Sequence, residues 1–573
     1  MRRRVVITGM GIWCPLGSEP EEVARRLTRR ETGIDPLTLF EPGVLRTGCA
    51  AQVRDFDPRE RFSARERRWL DRATLLALVV AERALQSAGW PDGAPARERM
   101  GLCVGASGAG QFQRVQYTLD GRPLEGRYAA MSHARSVLHL QGQTLAHRFG
   151  LRGPQASFCT ASAGSALAVL HAFQLLQAGK TDFMLAGGAE LLSVASLMAV
   201  DALGLTATGP CSAFSGPSGM TFGEGAAFVV LEPYDRAAAR GARMFGELLG
   251  GAATCDAFDP LAGDPSGQGA YRALKAALQG AGVEPRQVGW IKASGTGLAA
   301  QDRAESSALE RLFDSKCPPV CSLEPALGHP NGATPVVGLV AALASRGAGF
   351  IPPTLNEGAP RPGCGLDYVA DGPRPTTGEY LVANTIAFGG LNTALVVGDV
   401  RERPAAPAPP TDVSLTGVGL VSPVGVGLEA FAAALRAGHS GVQEVTRFEP
   451  GRGRVRRAAL VPLDAQPRGG RRPVDRVKHY AARAVGAALE SAGLVPGERV
   501  GLVVACSRPP VGAQERFFTA LPGNERGVAG AGRAVLEMGS FSVLSELSAR
   551  FKLQGLGAVL TEGVSSGLHA LAH

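Results

Sequence analysis

Short apolar runs alternate with longer amphipathic ones along most of the chain. Arg3–Thr8, Gly101–Val104, Phe183–Ala186 and Ala226–Glu232 are compact, β-prone and bounded by glycine or charge, so they read as strands. Residues 72–88, 165–178 and 271–281 carry apolar positions at helical spacing and read as helices. Strands alternating with helices predict an α/β layered fold. The longest apolar stretches, 75–80 and 336–344, are far shorter than a membrane span. The first ten residues have basic side chains but no long apolar core or small-residue cleavage site, so they read as a strand rather than a signal peptide, with cytoplasm as the default location. Gly9-x-Gly11 follows this strand. The spacing to Gly17 is wrong for a dinucleotide-binding turn, and Pro15 stands where the helix should begin.

The pattern repeats. Val6-Ile7-Thr8-Gly9-Met10-Gly11 and Pro15-Leu16-Gly17 recur as Ser414-Leu415-Thr416-Gly417-Val418-Gly419 and Pro423-Val424-Gly425. Phe40-Glu41-Pro42 recurs as Phe448-Glu449-Pro450, Asp71-Arg72 as Asp475-Arg476, Ser87-Ala88-Gly89 as Ser491-Ala492-Gly493, Gly101-Leu102 as Gly501-Leu502, and Arg148-Phe149 as Arg550-Phe551. A Pro/Ala-rich linker at 401–412 separates the copies. The first copy spans 1–400, in halves of about 1–245 and 246–400. The second, 413–573, ends just beyond Glu562-Gly563-Val564-Ser565-Ser566-Gly567, too early to supply a whole unit.

Composition adds constraints. Apolar residues make up 45% of the 573 and charged residues 19%, which suits a well-buried globular protein. The net charge of +8 is modest; Arg452–Arg457 and Arg468–Arg472 are basic patches with no nucleic-acid motif beside them. The ten cysteines lack metal spacing, and Cys317 and Cys321 have no second pair, so no zinc site is expected.

The segment Gly153-Pro154, a β-prone run, then Thr160-Ala161-Ser162-Ala163-Gly164 is similar to the nucleophile elbow of condensing enzymes, with Ser162 in the cysteine's place. Together with Ala186-Gly187-Gly188-Ala189-Glu190, Phe222-Gly223-Glu224-Gly225-Ala226, Pro352-Pro353-Thr354-Leu355-Asn356 and Asn384 through Asn392, it makes the chain resemble the β-ketoacyl-[acyl-carrier-protein] synthases over residues 1–400. The resemblance implies a thiolase-like five-layered αβαβα sandwich of two similar halves, followed by an incomplete second unit. It implies a role in fatty-acid or polyketide assembly and a substrate carried as a phosphopantetheine thioester, with no bound cofactor or metal. It also implies an acyl carrier protein as partner, whose acidic surface suits a basic protein, and a homodimer or a heterodimer with an active ketosynthase.

The same resemblance locates what has changed. The first family histidine falls on Ser294, within Ser294-Gly295-Thr296-Gly297-Leu298, and the second pantetheine-contacting threonine on Leu298. Asp302 and Glu305 still match. The second histidine is His329, the family lysine falls on Glu324, and the gating phenylalanine position on Ile386. Thr296, Ile386, Phe388 and Gly389 are the expected substrate contacts, and Val564 takes the nucleophile's place in the second copy. Loss at 162, 294 and 324 together implies defective Claisen condensation and a chain-length-factor-like partner of an active ketosynthase. Two alternatives stand beside it. In one, Ser162 is an acyltransferase or thioesterase nucleophile, because Thr160–Gly164 is close to a Gly-x-Ser-x-Gly elbow; His329 is then the base and Glu324 its orienter. In the other the chain is an inactive fragmentary product. Cys159, Cys211, His133, His139, His147 and His171 are expected to be structural or surface residues, and Glu224 to support backbone near the site.

Overall fold

The computed structural model describes residues 2–39, 45–89, 96–107, 135–137, 139–356, 358–376, 378–401, 413–446, 456–462, 475–508, 510–520 and 534–572. The Phe-Glu-Pro repeat, His133, linker residues 402–412, and residues 452–455 and 468–472 of the two basic patches lie outside them.

Twelve strands form one hydrogen-bonded sheet: β1 (Val5–Trp13), β2 (Met100–Ala106), β3 (Gln155–Cys159), β4 (Phe183–Glu190), β5 (Gly225–Pro233), β6 (Gly246–Cys255), β7 (Val288–Lys292), β8 (Val320–Cys321), β9 (Tyr380–Ala387), β10 (Leu391–Gly398), β11 (Leu502–Ala505) and β12 (Gly557–Leu560). Their order is β8-β7-β9-β10-β6-β1-β5-β4-β2-β3-β12-β11. Two five-stranded halves therefore meet where β1 pairs with β6, and the second copy extends the N-terminal half. The strands of the first unit are almost wholly buried on both faces, as layered α/β packing requires.

The helices that matter here are α1 (Arg72–Ser87), α2 (Gly164–Gln177), α3 (Gln268–Ala281), α4 (Ala299–Phe313), α5 (Thr334–Gly347), α6 (Arg476–Ala492), α7 (Phe541–Phe551) and α8 (Ser566–Ala572). α2 and α5 lie together in the main apolar core, with Leu167, Leu170, Val336 and Val340 buried between the layers. Their starts are held tightly. A Cβ on Gly105 of β2 would meet the Gly164 carbonyl carbon at 2.1 Å, and one on Gly332 would meet the Ala106 carbonyl carbon at 2.3 Å.

The second copy reproduces the first locally. Asp71 caps α1 through the Thr74 amide, and Asp475 caps α6 through the Val477 amide. Gly9 and Gly11 lie against the α1 backbone, as Gly417 and Gly419 lie against α6. The copies meet edge to edge. β12 runs antiparallel to β3, and Phe158 faces Leu560, the residue at its own position in the repeat. The Thr561 amide donates to the Ser157 carbonyl at 3.0 Å, the Val559 amide to Thr160 Oγ1 at 3.0 Å, and Cys159 Sγ lies 3.5 Å from Thr561 Oγ1. The contact is isologous, with the two-fold relation inside one chain.

Candidate active site

The Ser162 site is built on a sharp turn from β3 into α2. Ala161 has φ +44°, a left-handed conformation costly for a residue with a side chain, and Asn331 has φ +41° at the matching turn into α5. Both survive because β2 and the two helix starts leave the turns no room to relax. Ser162 is buried and borders a cavity of about 50 Å³. That cavity is lined from the first unit by Ser107, Ser162, Phe222, Asn331 and Phe388, and from the second copy by Val535, Leu536, Gly539 and Phe541. A larger cavity, about 400 Å³, lies outside it and is bordered by Leu298, Gln301, Ile386, Phe388 and Leu536. Phe388 and Leu536 border both, so the partition between entry and serine is made by one residue from each copy. Ile386, at the position expected to gate, borders the outer cavity alone.

His329 is buried against Phe222, ring to ring at 5.8 Å, with Nδ1 unpartnered. Burial, and then the nearby Lys292 charge, push its pKa down to about 3, so the imidazole is neutral near pH 7. No hydrogen bond joins it to Ser162 among the described residues. A base of such low pKa is a weak acceptor for a serine proton, since efficient general bases titrate near the working pH.

Glu324 does not orient His329, contrary to the serine-hydrolase expectation. Its Oε1 lies 3.2 Å from Lys292 Nζ and its Oε2 accepts from Ser322 Oγ at 2.8 Å. Both members of the ion pair are buried, and burial pushes the Glu324 carboxyl above its usual range against the pull of the lysine. A charged partner explains why a carboxylate is tolerated in the core here. Lys292 ends β7 and reaches past Gly338 of α5, where a Cβ would come within 2.6 Å of Lys292 Cε. Sequence reasoning passed over Lys292. The signal was available, because an isolated lysine in the apolar run Val288-Gly289-Trp290-Ile291-Lys292 needs a buried counter-charge.

Ser294 is tied to the backbone of β9. Its Oγ donates to the Ile386 carbonyl at 3.4 Å and accepts from the Ile386 amide at 3.3 Å. Its surroundings are intact: Glu305 accepts from the Ser294 and Gly295 amides at 2.7 and 2.8 Å and from Asn384 Nδ2 at 2.6 Å. Asp302 accepts from the Phe214 amide at 2.8 Å and pairs with Arg361. Thr296 is buried and donates to Gln301 Oε1 at 2.9 Å. Gly389 (φ +77°) abuts Ser545 of α7, where a Cβ would fall 2.0 Å from Oγ. Glu224 accepts from the Val53 and Leu192 amides and pairs with Arg72, a backbone-supporting role.

The remaining candidates are dispersed. Cys159 and Cys211 are buried, and burial pushes both thiols up to about 12, which suits core filler rather than a nucleophile. His171 meets Phe158 edge-on, His139 precedes the helix 140–149, and His147 lies on it. Val564, expected at the nucleophile position of the second copy, is fully exposed. Among the described residues no group of His, Cys, Asp and Glu is arranged to hold a metal, and no helix is long and apolar enough to cross a membrane.

An elbow entering a central helix, repeated by a second turn from the opposite half, defines a thiolase-like fold of the condensing type. The chain belongs to the β-ketoacyl synthase family. The N-terminal domain of β-ketoacyl synthase matches residues 2–237 and again 411–573, and the C-terminal domain matches 245–357. The chain is 30% identical over 406 residues to Nodulation protein E of Rhizobium sp. (strain N33), covering 70% of this chain and all of that one. It is 29% identical over 411 residues to 3-oxoacyl-[acyl-carrier-protein] synthase 2 of Coxiella burnetii, covering 70% of this chain and 99% of that one. Among solved structures, the ishigamide ketosynthase/chain length factor superposes with TM-score 0.66 at 28% identity, over 70% of this chain and all of that one. The PfaC keto synthase-chain length factor superposes with TM-score 0.83 at 18% identity, over all of this chain and 72% of that one, a likeness of fold.

Proposed function

We propose that the chain is a non-condensing member of the family, working in fatty-acid or polyketide assembly as a chain-length-factor-like binding partner rather than as a condensing enzyme. The observation that carries this is the state of the Ser162 cavity. Its nucleophile is an alcohol with no base in hydrogen-bond reach among the described residues, and its volume of about 50 Å³ is closed by Leu536 and Phe541 of the second copy. A thiolate would ionise near neutral pH; an alcohol does not, and needs the base it lacks. The other two altered positions are absorbed into structure, Ser294 into backbone bonds and Glu324 into an ion pair. The outer cavity of about 400 Å³ remains open to the arm of an acyl carrier protein.

The within-chain seam changes the expected assembly. The free edge of β3 is already covered by β12, so a separate active ketosynthase would have to dock on another surface. Incubating the protein with malonyl- and acyl-loaded carrier protein tests the reading: no 3-oxoacyl product is expected, and a product made at a rate above buffer overturns it. The acyltransferase reading keeps one feature in its favour, the strained elbow at Ala161, but lacks a competent base.

A further inference from the structure

The outer cavity, about 400 Å³, falls in the size range of small-molecule pockets. Its wall is mostly apolar: Leu203, Leu205, Leu261, Leu298 and Ile386 come from the first unit and Leu536 from the second copy. Of the four expected substrate contacts, Ile386 and Phe388 border it, and both are apolar. Leu203 and Ala300 are exposed, so the cavity opens to solvent on their side. Inward, Phe388 and Leu536 separate it from the Ser162 cavity, which at about 50 Å³ has no space for a chain.

The polar side chains in the wall are engaged with the protein itself. Asp256 Oδ1 accepts from Asn392 Nδ2 at 2.8 Å, and its Oδ2 accepts from the Asp264 amide at 2.7 Å. Asp264 Oδ1 accepts from the Ser266 amide at 2.9 Å. Ser218 Oγ accepts from the Ala299 amide at 3.0 Å, and Gln301 Oε1 from the Thr296 hydroxyl at 2.9 Å. Burial pushes the Asp256 carboxyl up to about 6, as surroundings poor in water do. A pantetheine arm carries amides, and burying an amide is costly unless it finds hydrogen-bond partners. An aliphatic chain makes no such demand and gains with every methylene buried.

We propose that the outer cavity holds an aliphatic acyl chain, brought in chain-first at the tip of a carrier arm while the arm itself stays at the mouth. Phe388 and Leu536 stop the chain short of Ser162, so it is bound and not transferred. Leu298, Ile386 and Leu536 select for the chain, and Leu536 makes the second copy part of the site. This deepens the non-condensing reading and rests on it for the chain's stopping short of Ser162.

The test is calorimetric titration of the full chain with alkyl-pantetheine thioethers, which offer Ser162 no carbonyl to attack. Pantetheine itself should bind weakest, and affinity should rise about fourfold for each methylene added from propyl to octyl. Leu298→Thr trims the apolar wall and Ala299→Phe fills the space beside it. Each should weaken octyl binding about tenfold or more at an unchanged melting midpoint. Affinity independent of chain length, or pantetheine binding as tightly as the octyl probe, overturns the proposal and gives the cavity to the arm. Length-dependent binding that neither variant weakens also overturns it, because the chain is then held elsewhere. The two failures are separable: a 3-oxoacyl product made from loaded carrier protein refutes the non-condensing reading without changing the length dependence.

Discussion

Lys292 Nζ and Glu324 Oε1 lie 3.2 Å apart in the core, beside a neutral His329. The Glu324 carboxylate is thus balanced by a lysine from a neighbouring strand. Removing one partner leaves an uncompensated buried charge. Glu324→Gln or Lys292→Met alone should destabilise by about 3–5 kcal/mol, whereas the double change to Gln and Met should cost far less. Glu324→Lys places two ammonium groups together and should be the worst of the set. Urea unfolding of the four variants checks the ordering, and an additive double mutant would refute the coupling.

His329 makes the fold sensitive to acid. Its pKa is about 3 when folded, against an ordinary value near 6.5 when unfolded. Between those values the unfolded chain binds the extra proton, so stability is lost as pH falls through this window, at up to about 1.4 kcal/mol per pH unit. Above the upper value the contribution is flat. His329→Phe should shallow the slope between pH 6.5 and 4, measured by denaturant midpoints at each pH.

Leu536 and Phe388 border both cavities and should set access to position 162. In a Ser162→Cys background, Leu536→Ala should raise the rate of iodoacetamide labelling at residue 162 by about tenfold or more, because a void of that size admits a small reagent. Peptide mapping distinguishes this thiol from Cys49, Cys317 and Cys506, which are only partly buried. An unchanged rate would remove the gate.

The seam between the copies should couple their unfolding. Leu560 is buried where β12 meets Phe158 of β3. Leu560→Asp buries an unpaired charge there. Calorimetry should then show the second copy melting in a separate, earlier transition, while the first unit keeps its own. A single unshifted transition would contradict the coupling.

Much of this was legible in the residues. The glycines and small residues from which the elbow was read are the ones that close backbone contact at β2 and α2 demands. Strand and helix positions followed from periodicity, although β1 and β4 extend to Trp13 and Glu190, past the apolar runs, because neighbouring strands pair with them there. What sequence could not show were contacts between distant segments. Lys292 and Glu324 are 32 residues apart and meet only when β7 packs beside the turn after β8. Leu536 and Phe541 reach Ser162 only because β12 pairs with β3. The role expected for Glu324 failed for the same reason: a carboxylate near a histidine in sequence was claimed by a lysine nearer in space.

The central claim is that Ser162 holds no acyl group. Intact-protein mass after incubation with acyl-loaded carrier protein, wild type beside Ser162→Ala, tests it most directly. Both proteins should keep their unmodified mass. A stable acyl adduct on the wild type that disappears in Ser162→Ala would contradict it and make Ser162 a working nucleophile.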